Sequence, residues 1–298
     1  MKRKFKLRGR KAMPYLFLLP ATFFILAFLA YPLLTVFEYS LQSYDVTKLN
    51  LKGFIGLENF KTLFKDDIFF RSLQVSLKWV LVEVCSQLVL GMTLALLLDQ
   101  KFKGRGIYRC VVFFPWAVSG VLTSMLWSLI YNQNIGLLNS ILKDLGLITK
   151  NVAWLGNTST VFKATAIAEV WRGIPFFAIT LLAAMQNISP DLHEAAVVDG
   201  AGIWQEIFLI KIPMLKDTII LTTLLRAVWE FNNVDLIFTL TGGGPSYRTQ
   251  TLTMYMTNMS VKNGNYGYGS TLAVAAFVFL LLFALIYLKA SGYGKEDK

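Results

Sequence analysis

Two pairs of opposite charges lie in stretches of the sequence that are otherwise apolar. Glu169 and Arg172 occupy one such stretch and Arg226 and Glu230 another, and the spacing within each pair puts both side chains on one helix face. The two carboxyls could serve an enzyme as an acid–base pair, and the two arginines could hold a carboxylate or a phosphate through forked hydrogen bonds. The alternative is a structural lattice of ion pairs, Glu169 with Arg226 and Arg172 with Glu230, that only fastens the helices together.

Charges at the depth of a membrane are functional candidates because each costs roughly 2.5–3.5 kcal/mol to insert. Small, aromatic and amide residues continue the two charged faces at helical spacing, which suits a polar cavity. Thr123 and Trp127, on one face of another apolar stretch, could contribute, although aromatic residues in membrane helices more often face lipid or a partner. The predicted substrate pathway comprises Glu169, Arg172, Gly173, Phe176, Arg226, Trp229, Glu230, Asn233, Thr123 and Trp127.

The composition indicates that these residues belong to an integral membrane protein. Of the 298 residues, 55% are hydrophobic and only 16% are charged, while the net charge is +11. So much apolar sequence excludes a disordered chain, and its long runs argue against a soluble enzyme or a nucleic-acid binder. The two cysteines, Cys85 and Cys110, both lie in apolar stretches and cannot form a disulfide scaffold.

The apolar stretches have the length of membrane-spanning helices, since a bilayer core of about 30 Å is crossed by about 20 helical residues. They lack both the period of a soluble amphipathic helix and the alternation of a membrane barrel strand. We expect a single all-α membrane domain over residues 1–298, with the first helix retained as an anchor because it runs apolar too far for a signal peptide. The six predicted transmembrane helices are 14–37, 72–98, 107–131, 162–186, 218–240 and 267–288.

Lysine and arginine predict the orientation, because cytoplasmic loops carry an excess of both. With the N-terminus inside, the cytoplasmic segments contain sixteen of the 29 basic residues, and the outer segments contain nine over a greater length. Both termini are therefore expected in the cytoplasm, and the basic N-terminal tail is explained as a topology signal near anionic lipid. The four basic residues within the apolar stretches are Lys78, Lys163, Arg172 and Arg226.

The cytoplasmic segment 188–213 does not have the composition of a linker. Ser189-Pro190 is typical of a helix start, with the hydroxyl as N-cap and proline at the first helical position, and Gly200 suits a left-handed turn at the helix end. A second helical piece, 203–210, carries isoleucines on one face beside a tryptophan and a phenylalanine. This apolar surface predicts docking on a partner, and the alternative is packing against the protein's own helix ends.

The same segment resembles a known motif. The spacing from Glu194-Ala195-Ala196 through Gly200 to Ile212-Pro213 is similar to the EAA coupling loop of bacterial ABC importer permeases, although the family usually has leucine at position 212. The resemblance implies two short helices in a cleft of the cytoplasmic ATPase, with a polar contact from the glutamate and a turn at the glycine. The residues that it assigns to ATPase coupling are Glu194, Ala195, Ala196, Asp199, Gly200, Ile210 and Pro213.

Four further stretches, 54–60, 199–201, 241–245 and 266–270, resemble the carbohydrate-uptake branch of that family. The resemblance implies the maltose-importer-like (MetI-like) permease fold and a bacterial inner-membrane subunit that forms half of the pathway for a sugar or oligosaccharide. In maltose-type importers the sugar site lies on the helices before and after the coupling loop. The implied partners are a second homologous permease, a cytoplasmic ATPase dimer, an external solute-binding protein, the sugar and the lipid bilayer, with no nucleic acid.

Other functional features of the sequence limit the alternatives. Without a G-x-x-x-x-G-K-[ST] motif, no cofactor is expected on this chain, and ATP and Mg²⁺ belong to the partner ATPase. Gly242-Gly243-Gly244 predicts a turn, and the single histidine, His193, has no metal-ligand set. Charges in the predicted pathway leave open whether the sugar is neutral or acidic. The alternatives are an importer for glycerol 3-phosphate or another anionic solute and, more distantly, an integral membrane enzyme; no catalytic residue is assigned.

Overall fold

The computed structural model describes residues 6–48, 53–100 and 102–294, and within these ranges the chain is helical with no β-strand. The all-α class is therefore confirmed. The helices are α1 (Lys6–Ile25), α2 (Tyr31–Ser40), α3 (Glu58–Leu63), α4 (Asp67–Asp99), α5 (Arg105–Ala117), α6 (Gly120–Ile130), α7 (Leu137–Asp144), α8 (Val161–Met185), α9 (Pro190–Val198), α10 (Ile203–Glu206), α11 (Ile212–Met214), α12 (Lys216–Asn232), α13 (Asp235–Leu240), α14 (Leu252–Thr257) and α15 (Tyr266–Ser291). Three π-helical turns accompany them, at Leu26–Ala30, Ile207–Lys211 and Asn258–Lys262.

Four helices in the described residues are long and apolar enough to cross a membrane. They are Met13–Ser40, Asp67–Asp99, Val161–Met185 and Tyr266–Ser291. The predicted third span is divided into α5 and α6, which meet at an angle of 97° and would raise the number of spans to five. The six-span count therefore remains a prediction.

The bend between α5 and α6 has a local cause at two residues. Val118 is extended (φ −87°, ψ 131°) and Ser119 is extended as well (φ −63°, ψ 154°), so the helix stops. The Ser119 hydroxyl then accepts a hydrogen bond from the backbone N–H of Leu122 at 3.3 Å and caps the new helix. This cap satisfies one of the backbone N–H groups that the break leaves without a helical partner.

The predicted fifth span, 218–240, is likewise interrupted. α12 ends at Asn232 because Asn233 adopts an extended conformation (φ −69°, ψ 114°), and α13 begins at Asp235. α12 has 17 residues and α13 has 6, so neither alone has the length of an ordinary membrane span. The break lies next to Glu230 of α12, and irregular backbone at membrane depth is found where it lines a cavity or is buried in protein.

The described chain forms two compact units. One consists of the residues up to Asp66 together with Met256–Phe277, and the other consists of Asp67–Tyr255 and the residues from Val278 onward. The charged residues predicted for the substrate pathway and the segment 188–213 belong to the second unit.

In the first unit, two of the stretches that resemble sugar permeases meet at the end of α2. The Asn59 side chain donates hydrogen bonds to the backbone carbonyls of Ser40 at 3.1 Å and Gln42 at 3.0 Å. A Cβ added at Gly267 would lie 2.2 Å from the Gln42 carbonyl oxygen, so only glycine fits. Asn59 satisfies the carbonyl groups that a helix end leaves without partners, and Gly267 lets the last helix approach the same place.

In the second unit, α4 and α8 pack closely at Gly91. A Cβ on Gly91 would lie 2.5 Å from the Cβ of Phe177, so the glycine allows the two helices to touch. One apolar cluster lies on each side of a polar region along these helices. The first cluster contains Val84, Ala95, Leu98, Phe177, Leu181, Leu182, Met185, Leu215 and Ala227, and the second contains Trp79, Ala166, Ala168, Leu236, Ile237 and Met254.

Candidate functional site

Six charged and amide residues from α4, α8 and α12 form a polar layer between the two apolar clusters. The members of this polar layer are Glu83, Gln87, Glu169, Arg172, Arg226 and Glu230. Glu169 is one of the buried carboxylates of this layer, with no solvent exposure. Arg172 binds it with both ends of its guanidinium, Nε to Oε2 at 3.0 Å and one terminal nitrogen to Oε1 at 2.6 Å. Arg226 adds a longer contact to Oε1 at 3.3 Å, so one carboxylate serves two guanidinium groups.

Arg226 also binds the carboxylate of its own helix. A terminal guanidinium nitrogen lies 2.6 Å from Glu230 Oε1, four residues along α12. Glu230 is 1% exposed and Arg226 is 5% exposed, so the pair is desolvated and its stability depends on having every charge and hydrogen-bonding group matched.

Gln87 links the ion pairs to one another. Its carbonyl oxygen accepts from Arg226 Nε at 2.6 Å, and its amide nitrogen lies 3.0 Å from Glu83 Oε2 and 3.2 Å from Glu230 Oε1. An amide can donate and accept at once, so Gln87 joins a guanidinium on one side to two carboxyls on the other. Gly173 makes room for it, because a Cβ there would lie 2.3 Å from the Gln87 amide and 2.4 Å from the Arg226 guanidinium.

Three residues of this region on α4 are absent from the predicted pathway: Trp79, Glu83 and Gln87. The Trp79 ring N–H donates to Glu230 Oε2 at 3.2 Å, and the fully buried Glu83 lies beside Gln87, with its Oε1 atom unpartnered among the described residues. These residues are spaced by four along an apolar stretch, so they share one helix face. This polar face could have identified the three residues from the sequence, because polar residues inside a membrane helix are functional candidates.

The polar layer borders a cavity of about 310 Å³. The cavity is lined by Trp116, Arg172, Arg226, Trp229, Glu230 and Asn233. Phe176 packs against Trp229 with ring centroids 5.2 Å apart, and the Arg226 guanidinium lies 5.7 Å from the Phe176 ring centroid. Asn233 donates to Glu230 Oε2 at 3.4 Å, so the broken end of α12 reaches the same site. Eight of the ten predicted pathway residues are thus brought together.

Thr123 and Trp127 lie elsewhere. Thr123 is fully buried on α6, and its hydroxyl has no hydrogen-bond partner among the described residues. The Trp127 ring packs against Tyr131 at 5.1 Å and Trp171 at 6.1 Å between ring centroids. Neither residue lines the cavity beside the polar layer. Their spacing of four residues places both on one face of α6. It does not predict which other helices that face packs against.

The ion pairs within the polar layer differ from those considered in the sequence analysis, which were Glu169 with Arg226 and Arg172 with Glu230. The contact of Glu169 with Arg226 is present, whereas the ion pairs of Arg172 and Glu230 are formed within their own helices, to Glu169 and Arg226. Pairs separated by three or four residues on one helix need no particular rotation of that helix against its neighbour, so the spacing along the chain is enough to bring the two charges together. Among the ion pairs of the described residues, only the contact of Glu169 with Arg226 joins α8 to α12.

The segment 188–213 is a pair of short helices outside the polar layer. The Ser189 hydroxyl accepts from the backbone N–H of Asp191 at 3.3 Å, and proline occupies the first position of α9, as predicted. Gly200 has the predicted left-handed conformation, with φ +75°. The N–H of Ala201 reaches back to the carbonyl of Ala196 at 2.9 Å, which closes the helix end.

The predicted coupling residues are distributed along these helices. Glu194 and Ala195 are exposed on α9 and Ala196 is buried, while Asp199 caps the helix and is exposed. Ile210 lies half-buried in the π-helical turn, and Pro213 is exposed in α11. Large apolar side chains between them are open to solvent. These are Val197, Val198, Ile203, Trp204, Phe208 and Leu209.

Charged contacts fasten the second short helix to α4. Lys211 Nζ lies 3.1 Å from Asp99 Oδ2 at the end of α4 and 3.3 Å from Glu206 Oε1. The other contact of Glu206 is to the His193 ring at 3.0 Å, which joins α9 to α10. Partial burial would raise the pKa of Glu206, but the hydrogen bond with His193 and the charge of Lys211 lower it below the usual 4.5. Lys211 has a raised pKa because its two carboxylate partners outweigh partial burial.

Residues 87–290 match the protein family described as "binding-protein-dependent transport system inner membrane component". A relative named as the trehalose/maltose transport system permease protein MalF, from Thermococcus litoralis, is 37% identical over 292 residues, which cover 98% of each chain. The chain belongs to this permease family.

Other similar proteins agree with this assignment. A sulfoquinovosyl glycerol transport system permease protein of Agrobacterium fabrum, SmoG, is 30% identical over 281 residues, which cover 94% of this chain and 91% of the relative. A crystal structure of a bacterial ABC transporter involved in the import of the acidic polysaccharide alginate has a chain with a TM-score of 0.83 and 23% identity, covering 99% of this chain and 100% of that one. This likeness confirms the MetI-like permease fold.

The permease is accordingly an integral component of the inner membrane and a transport subunit, which removes the alternative of an integral membrane enzyme. The family match begins at Gln87 and includes the short helices of 188–213, α8 and α12. It therefore contains the polar layer except for Glu83.

Proposed function

We propose that the permease forms one half of the translocation pathway of a sugar ABC importer and receives the motion of the ATPase through its segment 188–213. One observation carries the proposal: the segment with the coupling-loop sequence is joined to α4 by the Lys211–Asp99 ion pair, and α4 also contributes Glu83 and Gln87 to the polar layer. A movement of the segment would therefore be transmitted along α4 to the polar layer.

The docking surface consists of Glu194 and the exposed apolar side chains around it. Trp204 is 72% exposed and Val198 is 85% exposed, whereas a segment that only packed on its own helix ends would bury such residues. Glu194 is exposed on the same short helix, where it can make a polar contact at the rim of an ATPase cleft. Ala195, with its small side chain, permits close approach beside it.

Transmission has two routes from this surface. The Lys211–Asp99 ion pair leads to α4, and Leu215, which is 1% exposed, anchors the start of α12 in the apolar cluster that packs α4 against α8. Because packed cores shift between discrete arrangements rather than stretch, both helices would move as bodies.

The substrate pathway is assigned to the polar layer and the aromatic residues of its cavity. A sugar hydroxyl can both donate and accept, so it can replace the contacts that the paired guanidinium and carboxylate groups make with each other. Phe176 and Trp229 offer ring faces of the kind that pack against sugar rings. Thr123 and Trp127 stay in the proposal as pathway candidates of α6.

An anionic solute would need a positively charged side chain in the polar layer that is not already paired with a carboxylate. Arg172 and Arg226 are both engaged by carboxylates, so the polar layer has no free positive charge for glycerol 3-phosphate or another small anion, and it would contact the hydroxyl groups of a sugar, whether neutral or acidic. The names of the relatives, trehalose/maltose and sulfoquinovosyl glycerol, support a carbohydrate in either case.

The surrounding assembly follows from the proposed role. The chain would have six spans in a single membrane domain with both termini in the cytoplasm, so that 188–213 faces the ATPase dimer, where ATP and Mg²⁺ bind. A second homologous permease completes the pathway, and an external solute-binding protein delivers the sugar. The family description, which states dependence on a binding protein, supports the last partner.

The test uses the complete complex in proteoliposomes, with binding protein outside and ATP at the ATPase. Glu194→Ala is expected to lower ATP-driven uptake about tenfold or more, because a hydrogen bond to a charged group contributes about 1.5–3 kcal/mol. Asp191→Ala is the matched control, since it removes an exposed carboxylate from the first turn of the same helix. Capture of sugar by the binding protein should be equal in all three preparations. Uptake at the wild-type rate in Glu194→Ala, or equal losses in both variants, would refute the coupling assignment.

A further inference from the structure

A second and larger cavity, of about 760 Å³, lies in the same unit between α4, α8 and two loops. It is lined by Arg71, Gln74, Val75, Lys78, Thr158, Ser159, Phe162, Lys163, Ser246, Tyr247 and Arg248. Four of these side chains are cationic and none is acidic. The volume is within the range of about 300–1,000 Å³ that is usual for small-molecule sites.

The positive charges of this cavity are not neutralised by the protein. Within the described ranges, Arg71, Lys78, Lys163 and Arg248 make no ion pair, and all four side chains are exposed. The Lys78 ammonium lies 4.5 Å from the Phe162 ring centroid, a contact that leaves its charge available. The polar layer has the opposite character, because every guanidinium there faces a carboxylate.

The loop that supplies one wall is held in an uncommon conformation. Ser246 has φ +52° and Tyr247 has φ +60°, values that non-glycine residues rarely adopt and that persist only when the surroundings enforce them. The neighbouring Thr249 is fully buried and hydrogen-bonds the Gly244 carbonyl at 3.1 Å and the Thr241 hydroxyl at 2.8 Å. This network holds Tyr247 and Arg248 at the cavity rather than leaving them on a flexible loop.

The loop is also attached to α4, which provides the opposite wall. The backbone N–H of Leu252 donates to the Ser76 hydroxyl at 2.8 Å, and the Gln250 amide reaches the Ser72 hydroxyl at 3.5 Å. Ser72 and Ser76 are buried one turn apart, on the helix that carries Arg71 and Lys78. Both walls therefore have fixed positions, as a binding site requires.

We propose that this cavity is an anion-binding site that receives an acidic saccharide before it reaches the polar layer. Several cations without counter-charges attract a carboxylate, sulfonate or phosphate group, and the aromatic rings of Phe162 and Tyr247 can pack against the sugar. The proposal rests on the proposed function, which puts Arg71 and the 246–248 loop at the outer side of the membrane. It extends that function by specifying that the transported carbohydrate carries an acidic group.

A lipid phosphate has the same chemistry as an acidic sugar and could reach cations near a membrane surface. A concave site with two aromatic walls favours the saccharide, since a headgroup needs neither. The test therefore includes a lipid arm.

The experiment measures equilibrium binding of labelled trigalacturonate, with maltotriose as the neutral probe, to the complete complex in phosphatidylcholine nanodiscs without ATP or binding protein. Trigalacturonate should bind at least about tenfold more tightly than maltotriose, and its affinity should fall with added salt. The double variant Lys163→Gln/Arg248→Gln should weaken trigalacturonate about tenfold and leave maltotriose unchanged. Lys143→Gln/Lys150→Gln is the matched control, because it removes the same charge from exposed residues of the 133–160 segment, outside the cavity.

Three results would overturn the site. They are equal binding of the two probes, equal losses in the two double variants, and loss of trigalacturonate binding when phosphatidylglycerol is added to the discs, which would assign the cavity to lipid. ATP-driven uptake is measured separately on the same complexes. Absence of uptake in the wild type would count against the proposed function, whereas unchanged probe binding in Lys163→Gln/Arg248→Gln counts against the anion site alone.

Discussion

The polar layer requires a residue without a side chain at position 173, and the substitution Gly173→Ala tests this requirement. The added Cβ would lie 2.3 Å from the Gln87 amide and 2.4 Å from the Arg226 guanidinium, both far closer than carbon tolerates. These groups are the ends of flexible side chains, so they could move. They are also buried, at 0% and 5% exposure, and moving them breaks the 2.6 Å hydrogen bond between them.

The expected cost follows from these contacts. Overpacking a filled interior costs about 1–3 kcal/mol, and a lost hydrogen bond to a charged group costs about 1.5–3 kcal/mol. Part of each is recovered by relaxation, so we expect Gly173→Ala to lower the free energy of unfolding by about 3 kcal/mol. ATP-driven uptake should fall as well, since Gly173 belongs to the proposed substrate pathway.

The assay is thermal unfolding of the purified complex in detergent, followed by uptake in proteoliposomes. Gly106→Ala is the matched control, because an added Cβ at this helical glycine of α5 would have no described atom within 4 Å apart from its chain neighbours and the backbone of its own helix. It should keep or slightly raise the midpoint, since alanine favours helix over glycine by about 1 kcal/mol. A Gly173→Ala complex with the midpoint and uptake rate of wild type would show that Gln87 and Arg226 are not packed against this position.

Three further outcomes test other contacts. Gly91→Ala should destabilise more than Gly173→Ala, because its Cβ meets the Cβ of Phe177 at 2.5 Å and backbone atoms of α8, which cannot move without separating the helices; a smaller fall in the thermal midpoint would contradict this. Lys211→Met should lower uptake while ATPase activity persists, since it cuts the tether to Asp99; tightly coupled uptake would argue against that route. Glu206 has a lowered pKa, so its stabilising contribution is complete above pH 4.5 and is lost as the pH falls through the lowered value. Hydrogen exchange of 188–216 should rise there in wild type and not in Glu206→Gln.

Local structure in this permease follows from short-range sequence. The cap at Ser189, the proline after it and the left-handed Gly200 fix α9 because each acts on its own backbone within one turn. The apolar lengths likewise locate the long helices α4, α8 and α15. The interruption of the third and fifth stretches was not predicted. In the third stretch Pro115 and Gly120 flank the break and were an available signal, whereas Asn233 in the fifth stretch has no proline or glycine near it.

The six-span topology, the orientation and the roles of the coupling residues remain predictions made from the sequence. What was confirmed from sequence was the family, because the coupling-loop spacing and the sugar-branch stretches are properties of the order of residues. The basic cavity could not be predicted from the sequence either, since Arg71, Lys163 and Arg248 come from three separated segments that only the fold brings together.

The sequence by itself determined which charges lie within apolar stretches and on which helix face each one stands. Only the tertiary structure decided how they pair: Arg172 and Glu230 stay with partners on their own helices, and Gln87 of α4 joins the layer as its central link. The reason is geometric. A helical period fixes the angle of a side chain about its own axis, but the rotation and depth of one helix against another depend on close packing at sites such as Gly91 and Gly173.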